Sequence, residues 1–463
     1  MNLHHLEFES EIPVSVEDLF AWHEKPNAFT RLCPPWDKIR IIKSPESLQK
    51  GTRVELEVKI GPIWKRLVAE HFEYEKNKLF ADRQIVGPFG FWEHFHEFIA
   101  KTPYASIMRD KIQFSAPFGF LGNMFLTRFL KQKIRETFIY RHETLSNDLQ
   151  ACEKAKRTTY RNIAITGANG LIGKNLSIFL EMAGFNVFKI TRNPNPNHSN
   201  EVSWNPLMED FPESLLKNAD AIIHLAGESV ATGNWTKSKK EKIKNSRVVS
   251  TQKIATALKT IPNRVQAFLC ASAIGIYKET PGESLVESSE LGSDFLAEVG
   301  KEWESAALSA TDVVKKVVTM RFGIILSLLG GALPELLKPF QFRMGRFWGY
   351  EKANFSWITL DDVLHGILHL LTENISSGPI NFTAPSSVTN SDFISTLESI
   401  YHQKAFIPVP TLPLKILMGE KAERMILADF KVLPQKLELS GYKFLYPTLE
   451  LALRHLLGKH RLA

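Results

Sequence analysis

The stretch Thr166-Gly167-Ala168-Asn169-Gly170-Leu171-Ile172-Gly173 decides the fold of this chain. An apolar run, Asn162-Ile163-Ala164-Ile165, precedes it, and residues 174–181 follow it with a helix-like pattern. This order predicts a strand, a tight glycine turn and a helix, the arrangement with which α/β folds present a helix N-terminus to a pyrophosphate. We therefore expect a dinucleotide to be bound by Gly167, Asn169, Gly170, Leu171, Ile172 and Gly173.

Each of the three glycines has a separate mechanical role in such a turn. Gly167 would let the chain turn sharply off the strand, and Gly170 would let the backbone approach a phosphate. Gly173 would let the helix pack closely on the sheet. The spacing is G-x-x-G-x-x-G, whereas the standard fingerprint is G-x-G-x-x-G. An ordinary strand–helix turn is the alternative, and the strand before and the helix after favour the cofactor interpretation.

The second strand of this region predicts which cofactor is bound. Residues 186–191 form a strand pattern, and Arg192 follows it directly. An acidic residue at this place would bind the 2′-hydroxyl of NAD, whereas an arginine suits the 2′-phosphate of NADP. We therefore predict NADP(H), with an exposed loop arginine as the alternative.

Three later segments add candidate residues around the cofactor. The strand pattern at 221–227 ends in small residues, which would let a cofactor lie across the strand end. Further strand patterns end near positions 272 and 321. The additional cofactor-binding candidates are Leu225, Ala226, Gly227, Glu228, Ser272 and Arg321.

The first 150 residues have a different pattern, which predicts an antiparallel sheet. Strict alternation of apolar and polar residues at 53–60 indicates a strand, and 65–74, 91–99 and 105–114 read as further strands. Residues 122–142 carry apolar side chains at helical spacing. A curved sheet closed by one long helix gives an α+β sandwich with an interior groove.

His94 and His96 lie two residues apart in one of these strands, so their side chains point to the same face. They could form a polar anchor in the groove, a metal-binding pair, or a half-buried or exposed part of the sheet. We predict no metal site, because no third ligand has an identifiable spacing.

Composition sets the broad class of the protein. The 463 residues include 44% hydrophobic and 23% charged residues, with a net charge of +7 and a pI of about 9.0. The basic residues are dispersed, so nucleic acid is not indicated as a partner, whereas an anionic nucleotide is. Three cysteines predict no disulfide framework. The sequence shows no signal peptide or membrane-spanning stretch, and we expect a cytoplasmic protein.

The region 161–458 resembles the extended short-chain dehydrogenase/reductases, the NAD-dependent epimerase/dehydratase superfamily, and within it a family simply termed epimerases. The resemblance rests on Ala226-Gly227-Glu228, Ser246-Arg247-Val248, Phe295-Leu296-Ala297-Glu298-Val299, Trp303-Glu304 and Ser356-Trp357-Ile358. It implies a Rossmann fold, a doubly wound parallel sheet, followed by a small substrate lobe. It also implies an oxidoreductase or isomerase activity on a small-molecule carbonyl substrate, and a possible homodimer.

The N-terminal region resembles a START-like (polyketide cyclase-like) helix-grip domain, on the segments 8–23, 34–36, 87–89 and 92–96. This resemblance implies a groove that binds an apolar small molecule or a lipid. The predicted domains are therefore a START-like domain at 1–150, a polar linker at 151–160, an NADP-binding domain at 161–330 and a C-terminal substrate lobe at 331–463. We expect the last two to be partly interleaved.

The resemblance raises a catalytic problem. Reductases and epimerases of this superfamily use a Ser, a Tyr and a Lys four residues after the Tyr, because the Tyr exchanges a proton with the substrate while the Lys lowers its pKa. Ser272 stands where the Ser is expected, but Leu296 and Gly300 occupy the expected Tyr and Lys positions.

Two hypotheses follow from the missing Tyr and Lys. Tyr277 supplies the proton beside Ser272, with Lys301 or Arg321 providing positive charge. Alternatively, the site binds NADP(H) without turnover, as a sensor or scaffold that regulates the N-terminal domain.

Overall fold

The computed structural model describes residues 2–347, 350–409, 419–425 and 427–460. The strands are β1 His4–Ile12, β2 Ile39–Lys43, β3 Arg53–Ile60, β4 Ile63–Glu75, β5 Leu79–Val86, β6 Phe91–Thr102, β7 Ala105–Ser115, β8 Asn162–Thr166, β9 Asn186–Thr191, β10 Glu201–Ser203, β11 Ala221–His224, β12 Ala267–Ala273, β13 Ser284–Leu285, β14 Lys316–Phe322, β15 Ile324–Leu326, β16 Met344–Phe347, β17 Asn354–Phe355, β18 Trp357–Thr359, β19 Gly378–Phe382, β20 Val388–Thr389, β21 Ile407–Val409 and β22 Lys431–Val432.

The helices are α1 Val16–His23, α2 Ala28–Arg31, α3 Gly119–Ala155, α4 Leu171–Met182, α5 Glu213–Asn218, α6 Lys237–Thr260, α7 Phe295–Leu308, α8 Ala332–Gln341, α9 Leu360–Thr372, α10 Asn390–Tyr401, α11 Glu420–Met425, α12 Gln435–Leu439 and α13 Leu449–Leu457. A 3₁₀ turn spans Ile274–Ile276. None of the helices in the described segments is long and apolar enough to cross a bilayer.

The chain forms two compact units. Unit 1 comprises Met1–Lys156 together with Arg454–Ala463, and unit 2 comprises Arg157–Leu453. The C-terminal segment therefore belongs to the same unit as the N-terminus, whereas the sequence placed all of 331–463 in a substrate lobe.

Unit 1 is built on a seven-stranded antiparallel sheet with the strand order β1-β7-β6-β5-β4-β3-β2. The four strands read from the alternation of apolar and polar residues lie within β3, β4, β6 and β7. In β7 buried and half-buried residues alternate along the strand, so one face of the sheet is directed to the interior.

Helix α3 is longer than the sequence predicts. It runs for 37 residues, extends beyond the predicted helical segment at 122–142 and includes the first five residues of the predicted linker at 151–160. Leu145 and Leu149 are buried and lie four residues apart, so they share one helix face. The many polar residues around Leu145 and Leu149 give this stretch little apolar periodicity in the sequence. The two buried leucines nevertheless pack this part of α3 against the rest of unit 1.

The last described residues are held within unit 1 by specific contacts. The ring of His455 stacks on Tyr140 with 4.8 Å between the centroids, and its Nδ1 lies 3.0 Å from the Glu143 carboxylate. Lys459 Nζ lies 3.4 Å from Glu136. The C-terminal segment is thus an integral part of unit 1.

Unit 2 contains a seven-stranded sheet with the strand order β10-β9-β8-β11-β12-β14-β19, and every pair in it is parallel. The order reverses beside β8, whose neighbours are β9 on one side and β11 on the other. In open parallel sheets ligands bind at such a reversal, outside the carboxyl ends of the strands. Strand β19 follows position 331, so the predicted substrate lobe contributes a strand to this sheet.

Candidate functional site

The glycine turn lies at the carboxyl end of β8, where the strand order reverses. Gly170 caps α4 without any side-chain hydrogen bond. The first bond at the start of the helix runs from Lys174 N to Gly170 O, at 3.0 Å. The amides of Leu171, Ile172 and Gly173 precede it, so they point beyond the helix toward an acceptor such as a phosphate.

Gly167 and Gly173 are required by the close packing of this turn. Gly167 has φ +68°, and a Cβ there would lie 2.8 Å from the backbone of Leu225 and Ala226. A Cβ at Gly173 would lie 2.3 Å from Gly167 O. Both contacts involve backbone atoms that cannot move independently, so larger residues would displace the turn.

Arg192 is exposed directly after β9. Asn169 Nδ2 donates to Thr191 Oγ1 at 3.1 Å, which ties the glycine turn to the end of this strand. Glu228 follows β11, and Lys239 Nζ lies 2.5 Å from its carboxylate, which lowers the pKa of Glu228. The structure therefore brings Asn169, Arg192 and Glu228 to one edge of the sheet.

The end of β11 is fixed by a histidine that sequence analysis did not single out. His224 is fully buried, with Nδ1 2.6 Å from Thr166 Oγ1 and Nε2 3.0 Å from Ser250 Oγ. Burial lowers the pKa of His224 to about 3, so the ring is neutral. Thr166 Oγ1 also accepts from the amides of Leu225 and Ala226. These bonds hold the loop against the glycine turn.

Arg247 is a second residue that sequence analysis missed as a site residue, although Ser246-Arg247-Val248 supported the resemblance. Its guanidinium donates to Glu228 O at 2.9 Å, and its Cζ lies 3.2 Å from the place a Cβ would take on Gly227. Burial lowers the pKa of Arg247 to about 10, which leaves it charged at neutral pH. The structure thus places a buried cation beside the loop at Gly227.

We call the space outside the carboxyl ends of the parallel strands, where the strand order reverses, the cleft. The structure does not direct the side chain of Ser272 into this cleft. Its side chain is buried, and Oγ donates to Glu304 Oε1 at 2.6 Å. Side chains alternate along a strand, and the next residue, Ala273, is the exposed one at the end of β12. The prediction of Ser272 as a catalytic and cofactor-binding residue is therefore off by one position, because Ala273 faces the cleft and Ser272 does not.

The side chains of Tyr277 and Arg321 are also buried and do not extend into the cleft. Tyr277 is fully buried and donates to Asn381 Oδ1 at 2.6 Å, and burial raises its pKa to about 12. Arg321 forms a two-pronged pair with Glu304, at 2.8 and 2.7 Å, and donates to the Tyr277 hydroxyl at 2.8 Å. Burial alone would lower the pKa of Arg321, but Glu304 outweighs it and raises that pKa. In this conformation the polar groups of both side chains are hydrogen-bonded to other protein groups.

Apolar packing fills the expected Tyr and Lys positions. Leu296 lies beside Gly275, with its Cδ1 3.6 Å from the place a Cβ would take on that glycine. A Cβ at Gly300 would lie 3.0 Å from the side chain of Ile276. Helix α7 therefore packs on the 3₁₀ turn after β12 at Leu296 and Gly300, and neither of these residues can transfer a proton.

Comparison with known proteins shows the family to which this chain belongs. An epimerase family protein of Mycobacterium bovis is 30% identical over 291 residues, which cover 63% of this chain and 96% of that protein. The chain belongs to the NAD dependent epimerase/dehydratase family. The model of this family matches residues 163–296, which include the glycine turn, and a domain of unknown function, DUF1731, matches residues 409–456.

Two solved structures of family relatives are similar to this chain. A nucleoside-diphosphate sugar epimerase from Corynebacterium glutamicum has 28% identity and a TM-score of 0.78, covering 98% of this chain and 90% of its own. The human epimerase family protein SDR39U1, solved with NADPH, has 28% identity and a TM-score of 0.59. That match covers 64% of this chain and 98% of the human one. The prediction of NADP(H) agrees with the ligand of the human relative.

Proposed function

We propose that this chain binds NADP(H) at the glycine turn and acts as an NADP(H)-dependent oxidoreductase of the epimerase family on a small-molecule carbonyl compound. The observation that carries the proposal is the uncapped start of α4 together with the exposed Arg192 at the neighbouring strand end. The helix start suits a pyrophosphate, and the guanidinium suits a 2′-phosphate. The NADPH in the human relative supports the same cofactor.

The residues of the cleft divide the work of binding. The amides of Leu171 to Gly173 would hold the pyrophosphate, and Arg192 would hold the 2′-phosphate. Gly227 leaves room for close approach, while the buried Arg247 adds positive charge beside it. When bound, the cofactor supplies a hydride. The proton would come from water, because Leu296 and Gly300 offer no acid at the expected Tyr and Lys positions.

Leu296 and Gly300 also favour a second function. A cleft that binds NADP(H) and has apolar packing where the Tyr and Lys are expected suits a non-catalytic sensor. Such a sensor would couple cofactor binding to ligand binding in unit 1. By thermodynamic linkage, each ligand would then change the affinity for the other by the same factor.

For unit 1 we propose a START-like fold that holds an apolar small molecule between the sheet and α3. The aromatic lining supports this proposal: Phe8 stacks on Phe138 of α3 with 5.1 Å between ring centroids. Around them lies an apolar cluster with Ile112, Phe114 and Ile134.

Native mass spectrometry of the full chain, followed by NADPH and NADH titrations, tests the cofactor proposal. We expect one NADP(H) per chain and tighter binding of NADPH than of NADH. Failure to bind either cofactor would overturn both functions.

A panel of carbonyl compounds, including keto-sugar nucleotides, then separates the two functions. NADPH carrying deuterium at C4 should transfer the label to a product if the chain is an oxidoreductase. Cofactor binding without any label transfer, combined with a changed affinity for apolar ligands, would establish the sensor instead.

A further inference from the structure

A cluster of histidines and aspartates lies on the interior face of the sheet in unit 1. Asp82 of β5 pairs with His94 of β6, and His96 of β6 pairs with Asp110 of β7. Cross-strand partners share a face, and His94 and His96 share it as well, because they lie two residues apart. The register therefore brings four side chains from three adjacent strands together. Sequence analysis missed Asp82 as a third ligand because this pairing is not local in sequence.

The distances within this cluster suit a shared metal ion. Asp82 Oδ2 lies 3.4 Å from His94 Nδ1 and 3.7 Å from His96 Nε2. Each of the three residues has one possible ligand atom within 4.8 Å of those of the other two. The two contacts are long for hydrogen bonds. Ligand atoms of a tetrahedral ion with bonds of about 2.1 Å are separated by about 3.4 Å.

The remaining ring nitrogens face a second carboxylate. Asp110 Oδ1 lies 2.8 Å from His94 Nε2 and 2.8 Å from His96 Nδ1, and Asp110 Oδ2 lies 2.8 Å from His142 Nε2. The His94 contact is a hydrogen bond, whereas His96 Nδ1 lies at the same distance without hydrogen-bond geometry. Carboxylates behind metal-binding histidines fix the tautomer that exposes the other nitrogen. Here they would leave His94 Nδ1 and His96 Nε2 as ligands.

The charges in the cluster call for a cation. Asp110 is 3% exposed, and the ion pairs of Asp82 and Asp110 given by the described residues involve only histidines. A divalent ion would compensate the charge of these two carboxylates.

We propose that Asp82, His94 and His96 bind one divalent transition-metal ion of the zinc type, with Asp110 orienting the two histidines. Three protein ligands leave one exchangeable position, as in catalytic zinc sites. His71, the cross-strand partner of Asp82, is the next donor along the sheet. Its Nδ1 is buried without a hydrogen-bond partner. The exchangeable position would accept an oxygen of a small molecule, such as a carboxylate or a carbonyl.

Unit 1 has a second group of possible ligands, which serves as the internal control. Glu143, His455 and His460 also place three donor atoms within 4.8 Å, but Glu143 is exposed there. The first cluster is more enclosed and has the additional carboxylate behind its histidines. The proposal therefore assigns the ion to Asp82 and its partners.

The test is metal binding by the full chain after treatment with a chelator and dialysis. Zn²⁺ affinity is measured by competition with a chromogenic chelator, and stoichiometry by elemental mass spectrometry. Co²⁺ gives visible d–d bands that report the geometry. We expect one ion per chain, loss of that ion in Asp82→Asn, and a roughly 10–100-fold weaker affinity in Asp110→Asn.

The matched control is Glu143→Gln, which should keep full Zn²⁺ affinity. Circular dichroism and thermal unfolding show whether each variant is folded. No stoichiometric Zn²⁺ or Co²⁺ binding by the unmodified chain would overturn the proposal and leave a buried ion-pair network. Loss of the ion in Glu143→Gln, with retention in Asp82→Asn, would overturn it as well. These readouts need no catalytic activity, so they are independent of the proposed function.

Discussion

Gly173→Ala should weaken the binding of NADPH at the glycine turn, while the chain still folds. The added methyl group would lie 2.3 Å from Gly167 O and 2.8 Å from Ala168 Cα, which are both backbone atoms. The turn must therefore move away from α4, and the amides aimed at the pyrophosphate move with it. Overpacking of this kind costs about 1–3 kcal/mol. If that free energy is lost from binding, the Kd for NADPH rises about fivefold to 150-fold.

The assay is a fluorescence titration of NADPH, with thermal unfolding measured in parallel. Gly275→Ala is the matched control, because its methyl group would meet Leu296 at an ordinary 3.6 Å. It lies near the same edge of the sheet, and we expect its NADPH affinity to stay within about threefold of the parent. Unchanged NADPH affinity in Gly173→Ala would refute the reasoning, since the turn would then not need this backbone path.

Three further predictions concern other parts of the protein. Arg192→Ala should weaken NADPH about tenfold or more while leaving NADH unchanged, because only the 2′-phosphate loses a charged hydrogen bond; equal effects on both Kd values would contradict this. Glu304→Gln should lower the free energy of unfolding by about 3 kcal/mol or more, because it leaves Arg321 buried without its charged partner. The control is the exposed Glu298→Gln, which should lower it by less than about 1 kcal/mol; both values are measured by urea unfolding. The pKa of His224 is about 3 in the folded state and about 6.5 in the unfolded state. Its contribution to the free energy of unfolding is therefore constant above about pH 6.5, and it falls by about 1.4 kcal/mol for each pH unit below that value. Urea unfolding at several pH values should therefore show a shallower acid slope in His224→Asn, and an identical slope would exclude this role.

Local sequence patterns predicted the elements that depend on nearby residues. The strand at 186–191 coincides with β9, because apolar residues and flanking turn signals define both ends. The glycine turn follows β8 and opens α4, since the order of strand, glycines and helix is itself local. Arg192 was predictable in the same way, because its place follows directly from the end of the strand.

Side-chain directions and long-range pairings could not be predicted in this way. Ser272 and Ala273 differ by one residue, and only the register of β12 in the sheet decides which of them faces the cleft. Tyr277 is buried because Arg321 and Asn381, far away in sequence, surround its hydroxyl. The pairing of Asp82 with His94 likewise depends on how two strands align, which spacing along the chain does not determine.

The return of the chain from Arg454 to unit 1 has a consequence for biosynthesis. The ribosome must make all of unit 2 after Lys156 before it releases the segment that stacks on Tyr140 and contacts Glu136. At about 5–20 residues per second, this interval lasts roughly 15–60 s. During that time the N-terminal part of unit 1 waits with one surface uncovered. In nascent chains the part of unit 1 before Lys156 should therefore need protection until the segment from Arg454 has been made.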